Sequence, residues 1–230
     1  MKKNNLILVT GAGKGIGYAT VIELCKKNYD VYAIIKNKKD NRKFKKIQNL
    51  KIFNGDVRNN TFCKNIFNFA KSEKKIITGL VNNAGVRKRK DFLKLNKKEM
   101  SDVFDINFFS ILNLMQIFSK EIIKKKARGS IVNIASIVGQ IGFNQLSLYA
   151  SSKGALISLT KSFATEMAKR NIRANIISPG FIKTSYYNKF KKKKKLYKWT
   201  LNRIPLKRWG EPGEESKLIE FLISDNSRYI

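Results

Sequence analysis

Leu6-Ile7-Leu8-Val9-Thr10-Gly11-Ala12-Gly13-Lys14-Gly15-Ile16-Gly17 opens on an apolar run and closes on a glycine-rich turn. The apolar run suits a buried parallel strand. The residues that follow, Tyr18 to Lys27, carry apolar side chains at Ala19, Ile22 and Cys25 and at Val21 and Leu24, the spacing of a helix packed on a sheet. Strand, glycine turn and helix together form the context of a dinucleotide-binding turn. Its glycines let the backbone approach a pyrophosphate, whose charge then meets the helix N-terminus. The spacing is Gly-x-x-x-Gly-x-Gly rather than Gly-x-Gly-x-x-Gly, and a ligand-free structural turn is the alternative reading.

The same alternation continues outward from this unit. Strands are predicted over Leu6–Thr10, Asp30–Ile35, Lys51–Asn54, Gly79–Asn82, Ser130–Ala135 and Arg173–Ser178. Helices are predicted over Gly15–Asn28, Arg42–Asn49, Asn60–Lys71, Lys97–Lys126, Leu148–Arg170 and Glu214–Ser224, with a bend near Asn107. Such a chain forms an α/β fold, a doubly wound parallel sheet with helices on both faces. Right-handed crossovers gather the carboxyl ends of the strands on one rim, where ligands bind. No repeat or linker interrupts the 230 residues, which read as one domain. The lysine run Lys191–Lys195 reads as a solvated, flexible segment.

Tyr149 and Lys153 stand four apart at the start of one of these helices, so both point to the same face. Ser136 lies thirteen residues before Tyr149, at the end of a predicted strand. A phenol beside an ammonium, with a hydroxyl nearby, can move a proton onto or off a carbonyl oxygen. The chain has no histidine, which excludes a Ser-His-Asp triad, a His-Glu-x-x-His zinc site and any imidazole acid–base chemistry. Its two cysteines, Cys25 and Cys63, fall in helical patterns and are expected to pack as small apolar groups, and no metal site is expected. Cysteine usage suits a reducing cytoplasm. No run reaches membrane-spanning length, and Met1–Asn5 lead straight into the first strand with no signal-peptide pattern.

The charge is extreme: 48 Lys plus Arg against 16 Asp plus Glu, a formal +32. A polyanion binder would show such an excess. Here the lysines are spread over every predicted element, and Asn and Ile are also abundant, which points to genome-wide codon bias. Non-specific adhesion to nucleic acid at low salt follows from either cause.

Taken together, Thr10-Gly11-x-x-x-Gly15-Ile16-Gly17, Asp56-Val57, Asn82-Asn83-Ala84-Gly85, Asn107, Ser136, Tyr149-x-x-x-Lys153 and Pro179-Gly180 with Thr184 resemble the short-chain dehydrogenase/reductase family in order and spacing. The resemblance implies a Rossmann-type fold, a nicotinamide cofactor and an oxidoreductase. It implies a catalytic set of Asn107, Ser136, Tyr149 and Lys153. It implies cofactor contacts from Gly11, Lys14, Gly15, Ile16, Gly17, Lys36, Asp56, Val57, Asn83, Ala84, Gly85, Tyr149, Lys153, Pro179, Gly180, Ile182 and Thr184. Tyr149 is then the proton donor or acceptor, Lys153 lowers its pKa and holds the ribose hydroxyls, and Ser136 donates to the carbonyl oxygen. Asn107 keeps a helix bend and a water in place, and Asp56 bonds the adenine amine, although it could instead cap the next helix. Residues 181–205 fall where family members carry a mobile substrate lid. Family members normally continue into a seventh strand after a segment like Ser224–Ile230; the expected sheet here has six strands and a bare edge, which weakens an otherwise expected homo-oligomer.

The second strand ends Ile34-Ile35-Lys36-Asn37, without the acid that NAD enzymes place there, so NADP(H) is favoured and NAD(H) is the alternative. Lys36 and Lys14 are positioned to meet a 2′-phosphate. Two substrate classes compete. One is a 3-oxoacyl thioester on an acidic carrier protein, which a basic surface suits. The other is a sugar acid or polyol, the branch that Asn83–Lys90 and Arg203–Gly210 resemble more closely; basic residues after Gly85 (Arg87, Lys88, Arg89, Lys90) could hold a carboxylate or simply be solvated. A non-catalytic or truncated relative that binds nucleotide or polyanions is the alternative to an enzyme.

Overall fold

Successive side chains along a strand point to opposite faces of a sheet, so a strand that is apolar at every position needs cover on both. The computed structural model, which describes residues 6–44 and 47–230, provides that cover. Its strands are β1 (Leu6–Thr10), β2 (Asp30–Ile35), β3 (Leu50–Asn54), β4 (Ile77–Asn82), β5 (Gly129–Ile134) and β6 (Ile172–Ile177). They form one parallel sheet in the order β3-β2-β1-β4-β5-β6, with the strand order reversing between β1 and β4. Among the described residues the sheet has six strands, and β3 and β6 are its edges.

Leu6 and Leu8 face one way with Tyr32, Ile34, Leu80 and Ile131. That face is covered by α2 (Asn60–Ser72), α4 (Ser110–Lys124) and α5 (Ser147–Met167), through Ile66, Leu114, Phe118 and Leu156. Ile7 and Val9 face the other way, against Val21 and Leu24 of α1 (Gly15–Lys26) and Ile219 and Ile223 of α8 (Pro212–Ile223). The doubly wound sheet is therefore as expected, and each fully buried Leu or Ile contributes about 1.5–3 kcal/mol.

Local chemistry sets several boundaries. The Asn59 side chain accepts the Phe62 N–H (2.9 Å) and starts α2, so Asn59 and not Asp56 caps this helix. Asn96 and Glu99 form a capping box for α3 (Lys97–Phe104). Pro212 sits at the first turn of α8, behind a Glu211–Glu214 capping box. The bend expected near Asn107 is a π-helical turn, Asp105–Phe109, between α3 and α4.

Two expectations need correction. The helix predicted over Arg42–Asn49 is instead a 3₁₀ turn over Lys38–Phe44, with residues 48–49 in a turn and Lys45 and Lys46 outside the described residues. The lysine run is exposed, as expected, but it joins two helices that the sequence reading did not place: α6 (Tyr187–Lys191) and α7 (Lys194–Arg203). Both pack around Trp209, whose ring lies 5.3 Å from Tyr187, 5.4 Å from Phe190 and 6.1 Å from Tyr197. The Trp209 indole N–H donates to the Thr200 hydroxyl (2.8 Å) and fastens α7 to this cluster.

Candidate active site

Every motif singled out at a strand end lies on the carboxyl rim of the sheet, as a parallel sheet requires. The glycine turn after β1 is built by close approach. Gly11 and Gly15 have φ of +63° and +58°, a region that favours glycine. A Cβ on Gly17 would stand 2.4 Å from Asn83 Nδ2 and 2.5 Å from the Gly11 carbonyl oxygen. Asn83 Nδ2 donates to the Thr10 and Gly11 carbonyls (3.1 and 3.0 Å), and the Thr10 hydroxyl accepts the N–H groups of Asn83 and Ala84 (both 3.0 Å). This lattice ties the end of β4 to the turn after β1. It gives Thr10 a positioning role that the sequence reading left out.

The N-terminus of α1 has no side-chain cap and no acid in its first turn, and Lys14 is exposed at the N-cap. An uncapped helix N-terminus behind a glycine turn fits a pyrophosphate. Thr184, after β6, packs over Gly15, with its methyl 3.1 Å from where a Cβ would be. Farther along the rim, Lys36 and Asp56 meet each other (3.0 Å), and Arg58 grips the same carboxylate with Nη2 (2.8 Å) and Nε (3.1 Å). Hydrogen bonds from Arg58, then from Lys36, hold the Asp56 carboxyl far below its ordinary range against the opposing effect of burial. Val57 is buried beside them.

Toward β4–β6 the rim opens into a cleft of about 600 Å³. Ile16, Asn83, Gly85, Ser136, Tyr149, Lys153, Pro179, Gly180, Ile182 and Thr184 all line it. Lys14, Lys36, Asp56 and Val57 lie outside it, and Asn107 sits behind its wall. Ser136 caps the short turn Ile137–Gly139 by accepting the Val138 N–H (3.2 Å), so the plain capping role does exist. Its hydroxyl lies near enough to the Tyr149 phenol to favour the phenolate.

Lys153 is only 3% exposed, and its ammonium donates to the Ile134 carbonyl at the end of β5 (2.6 Å). Burial pulls its pKa down to about 8. Burial raises the Tyr149 pKa, and the Ser136 hydroxyl and the Arg87 charge only partly oppose it. The expected lowering of the phenol pKa by Lys153 is thus corrected. Desolvation of the phenolate wins, and Arg87 supplies an opposing charge.

Asn107, fully buried in the π turn, staples the wall. Its Oδ1 accepts the Val86 N–H (2.8 Å), and its Nδ2 donates to the Val86 carbonyl (2.9 Å) and the Ser152 hydroxyl (3.0 Å). A Cβ on Gly85 would stand 3.3 Å from Asn107 Oδ1 and 3.6 Å from Lys153 Nζ, so Asn107 and Lys153 converge at Gly85. The far wall is aromatic: Phe143, Phe181, Tyr186, Phe190, Trp199 and Trp209. The sequence reading assigned no role to these rings, since nothing in a lysine-rich stretch marks which aromatics turn inward. The cysteines are free: Cys63 is buried and Cys25 half-buried. Among the described residues no cluster could hold a metal and no helix is long and apolar enough to cross a membrane.

This arrangement defines a dinucleotide-dependent oxidoreductase, and comparison with known proteins identifies the family. The family described as enoyl-(acyl carrier protein) reductase matches residues 11–230. The 3-oxoacyl-[acyl-carrier-protein] reductase FabG of Staphylococcus epidermidis is 32% identical over 234 aligned positions, covering 99% of this chain and 94% of that protein. The solved structure of 4-hydroxyisoleucine dehydrogenase complexed with NADH is 34% identical with a TM-score of 0.93, covering 99% of this chain and 94% of that one. ElxO with NADP bound is 27% identical with a TM-score of 0.91, again covering 99% and 94%. The chain belongs to the short-chain dehydrogenase/reductase family, and the protein is an NAD(P)-dependent oxidoreductase.

Proposed function

We propose that the protein interconverts a carbonyl and a secondary alcohol with NADP(H), and that Tyr149 passes the proton. The observation that carries this reading is that Ser136, Tyr149 and buried Lys153 all line one cleft. The amides of the turn Gly11–Gly17 hold the pyrophosphate, with Lys14 beside it, and Ile16, Ala84, Gly85, Pro179, Gly180, Ile182 and Thr184 flank the rest of the nucleotide. The bound cofactor supplies or takes up the hydride.

The chain's own residues do the rest. A phenol with a raised pKa keeps its proton at neutral pH and is poised to give it up as charge grows on a carbonyl oxygen. Ser136 donates a hydrogen bond to that oxygen. Lys153 holds the ribose hydroxyls, and Asn107 keeps Val86 and the Gly85 turn in place behind them.

NADP(H) is favoured because β2 ends in Lys36 with no acid at that position. Relatives of this fold carry either NADH or NADP, so the assignment rests on Lys36 and Lys14. Two substrate classes have support: a 3-oxoacyl thioester on an acidic carrier, as the FabG relatives' name says of them, and a small hydroxy acid, as the name of 4-hydroxyisoleucine dehydrogenase says of it.

Tyr149→Phe removes the transferable proton and little else. NADPH binding, read by fluorescence titration, is expected to stay within about threefold, while ketone reduction falls by roughly 10³-fold or more. Turnover of the variant within tenfold of the parent would rule Tyr149 out as the proton donor.

A further inference from the structure

We infer that Arg87, held against the rings of Tyr186 and Phe190, is the anion anchor of the cleft, and that the substrate is a small keto or hydroxy acid bound through its carboxylate. The inference rests on the oxidoreductase reading and adds the substrate class to it.

Four basic residues follow Gly85, and the structure uses them differently. Lys88 and Lys90 both reach Glu99 (2.9 and 2.7 Å). Arg89 Nε donates to Gln145 Oε1 (3.1 Å). Arg87 has no carboxylate partner among the described residues. Its guanidinium carbon lies 5.4 Å from the Tyr186 ring centre and 5.9 Å from that of Phe190, and the residue is half-buried in the cleft wall. Burial pushes its pKa below the ordinary value, so the folded chain holds a partly desolvated cation with no counter-ion of its own.

Among the described residues, no Asp or Glu lines the cleft. Cation–π contact with two rings holds the guanidinium without consuming its N–H groups, which leaves a fork suited to a planar carboxylate. Arg87 also sits close enough to Tyr149 for each charge to be felt by the other. An acid gripped at Arg87 therefore presents a carbonyl only a few bonds from its carboxylate to the phenol. The acyl group of a 3-oxoacyl thioester carries no charge of its own to place against Arg87.

The test uses the full chain with NADPH and NADH on keto acids of four to six carbons, the methyl ester of each, and acetoacetyl thioester. Acids are expected to exceed their esters by at least tenfold in kcat/KM, chiefly through KM. In Arg87→Ala that ratio should collapse to within about twofold, and Arg87→Lys should restore part of it. A wild-type ratio near one, a ratio that Arg87→Ala leaves unchanged, or thioester turnover above that of every acid would overturn the inference.

A second readout needs no turnover. Trp199 and Trp209 line the same cleft, so the keto acids should quench tryptophan fluorescence saturably in the wild type and in Tyr149→Phe, but not in Arg87→Ala. Arg87-dependent quenching without turnover of any compound would keep the anchor and remove the oxidoreductase reading. Absence of such quenching, or equal quenching in Arg87→Ala, would remove the anchor.

Discussion

Each half of the rim sets particular cations in a different environment. Over β1–β3, Lys36 and Arg58 share Asp56 and Lys43 pairs with Asp40 (2.6 Å), and the three cations are 38–72% exposed. Over β4–β6, Lys153 is buried on a backbone carbonyl and Arg87 is half-buried between rings, and neither meets a carboxylate. In a chain of formal charge +32, exposed paired lysines are the background. A desolvated, unpaired cation works against folding stability and persists where function requires it. Position in the dielectric, rather than charge itself, separates ordinary surface from candidate site.

Lys153→Met is the sharpest way to break that comparison. Turnover should fall by roughly 10³-fold if Lys153 holds the ribose as proposed. The stability readout has a defined sign. The folded-state pKa of Lys153, about 8, lies below its ordinary value of 10.5. Below about pH 8 both states carry the proton and the burial penalty is fully present. Between about 8 and 10.5 the unfolded chain keeps a proton that the folded chain has released, so wild-type stability rises with pH. The difference in unfolding free energy, wild type minus Lys153→Met, should therefore grow by about 3 kcal/mol from pH 7 to 10.5. Urea titrations at several pH values measure it, and a pH-independent difference would show that Lys153 is not desolvated.

Asn107→Ala has the next largest expected effect. The change removes both hydrogen bonds that hold the partly exposed Val86 N–H and carbonyl, at a cost of about 1 kcal/mol for each. Val86 adjoins Arg87, so the loss should also move the guanidinium and lower kcat/KM by ten- to a hundredfold. Asn107→Asp keeps the acceptor for the Val86 N–H and should recover part of the stability, which separates the staple from mere packing.

What could be read from the chain follows the same division. The β1 and β2 boundaries coincide with expectation because apolar runs and a glycine turn are local signals. Tyr149 and Lys153 stand out as candidates when their spacing is read together with the glycine turn and the family resemblance. The Arg87 site was only half legible. Basic residues after Gly85 were visible as carboxylate candidates, yet which of them stays unpaired depends on Glu99, which caps α3 and draws off Lys88 and Lys90. The helices α6 and α7 were hidden because their apolar side chains converge on Trp209, a contact no periodicity reveals. The 3₁₀ turn at Lys38–Phe44 displaced the expected helix, helped by Lys43, whose ammonium bridges Asp40 and the Gly13 carbonyl (2.9 Å).

The smallest effect belongs to Lys36, and it tests the exposed half. Its side chain is 72% exposed, and its partner Asp56 is already gripped by Arg58. Exposed pairs of this kind contribute about 0–1 kcal/mol, so Lys36→Ala should change unfolding free energy by less than about 0.5 kcal/mol. The cofactor readout is more telling. If Lys36 meets the 2′-phosphate, its removal should raise KM for NADPH several-fold, leave KM for NADH nearly unchanged, and weaken further as salt is added to the wild type. The expected discrimination stays below tenfold, because Asp56 offsets part of the Lys36 charge and Lys14 remains near the turn. A loss above a hundredfold, or a rise in both KM values together, would show that this exposed ion pair organises the site after all, and the contrast between the two halves of the rim would fail.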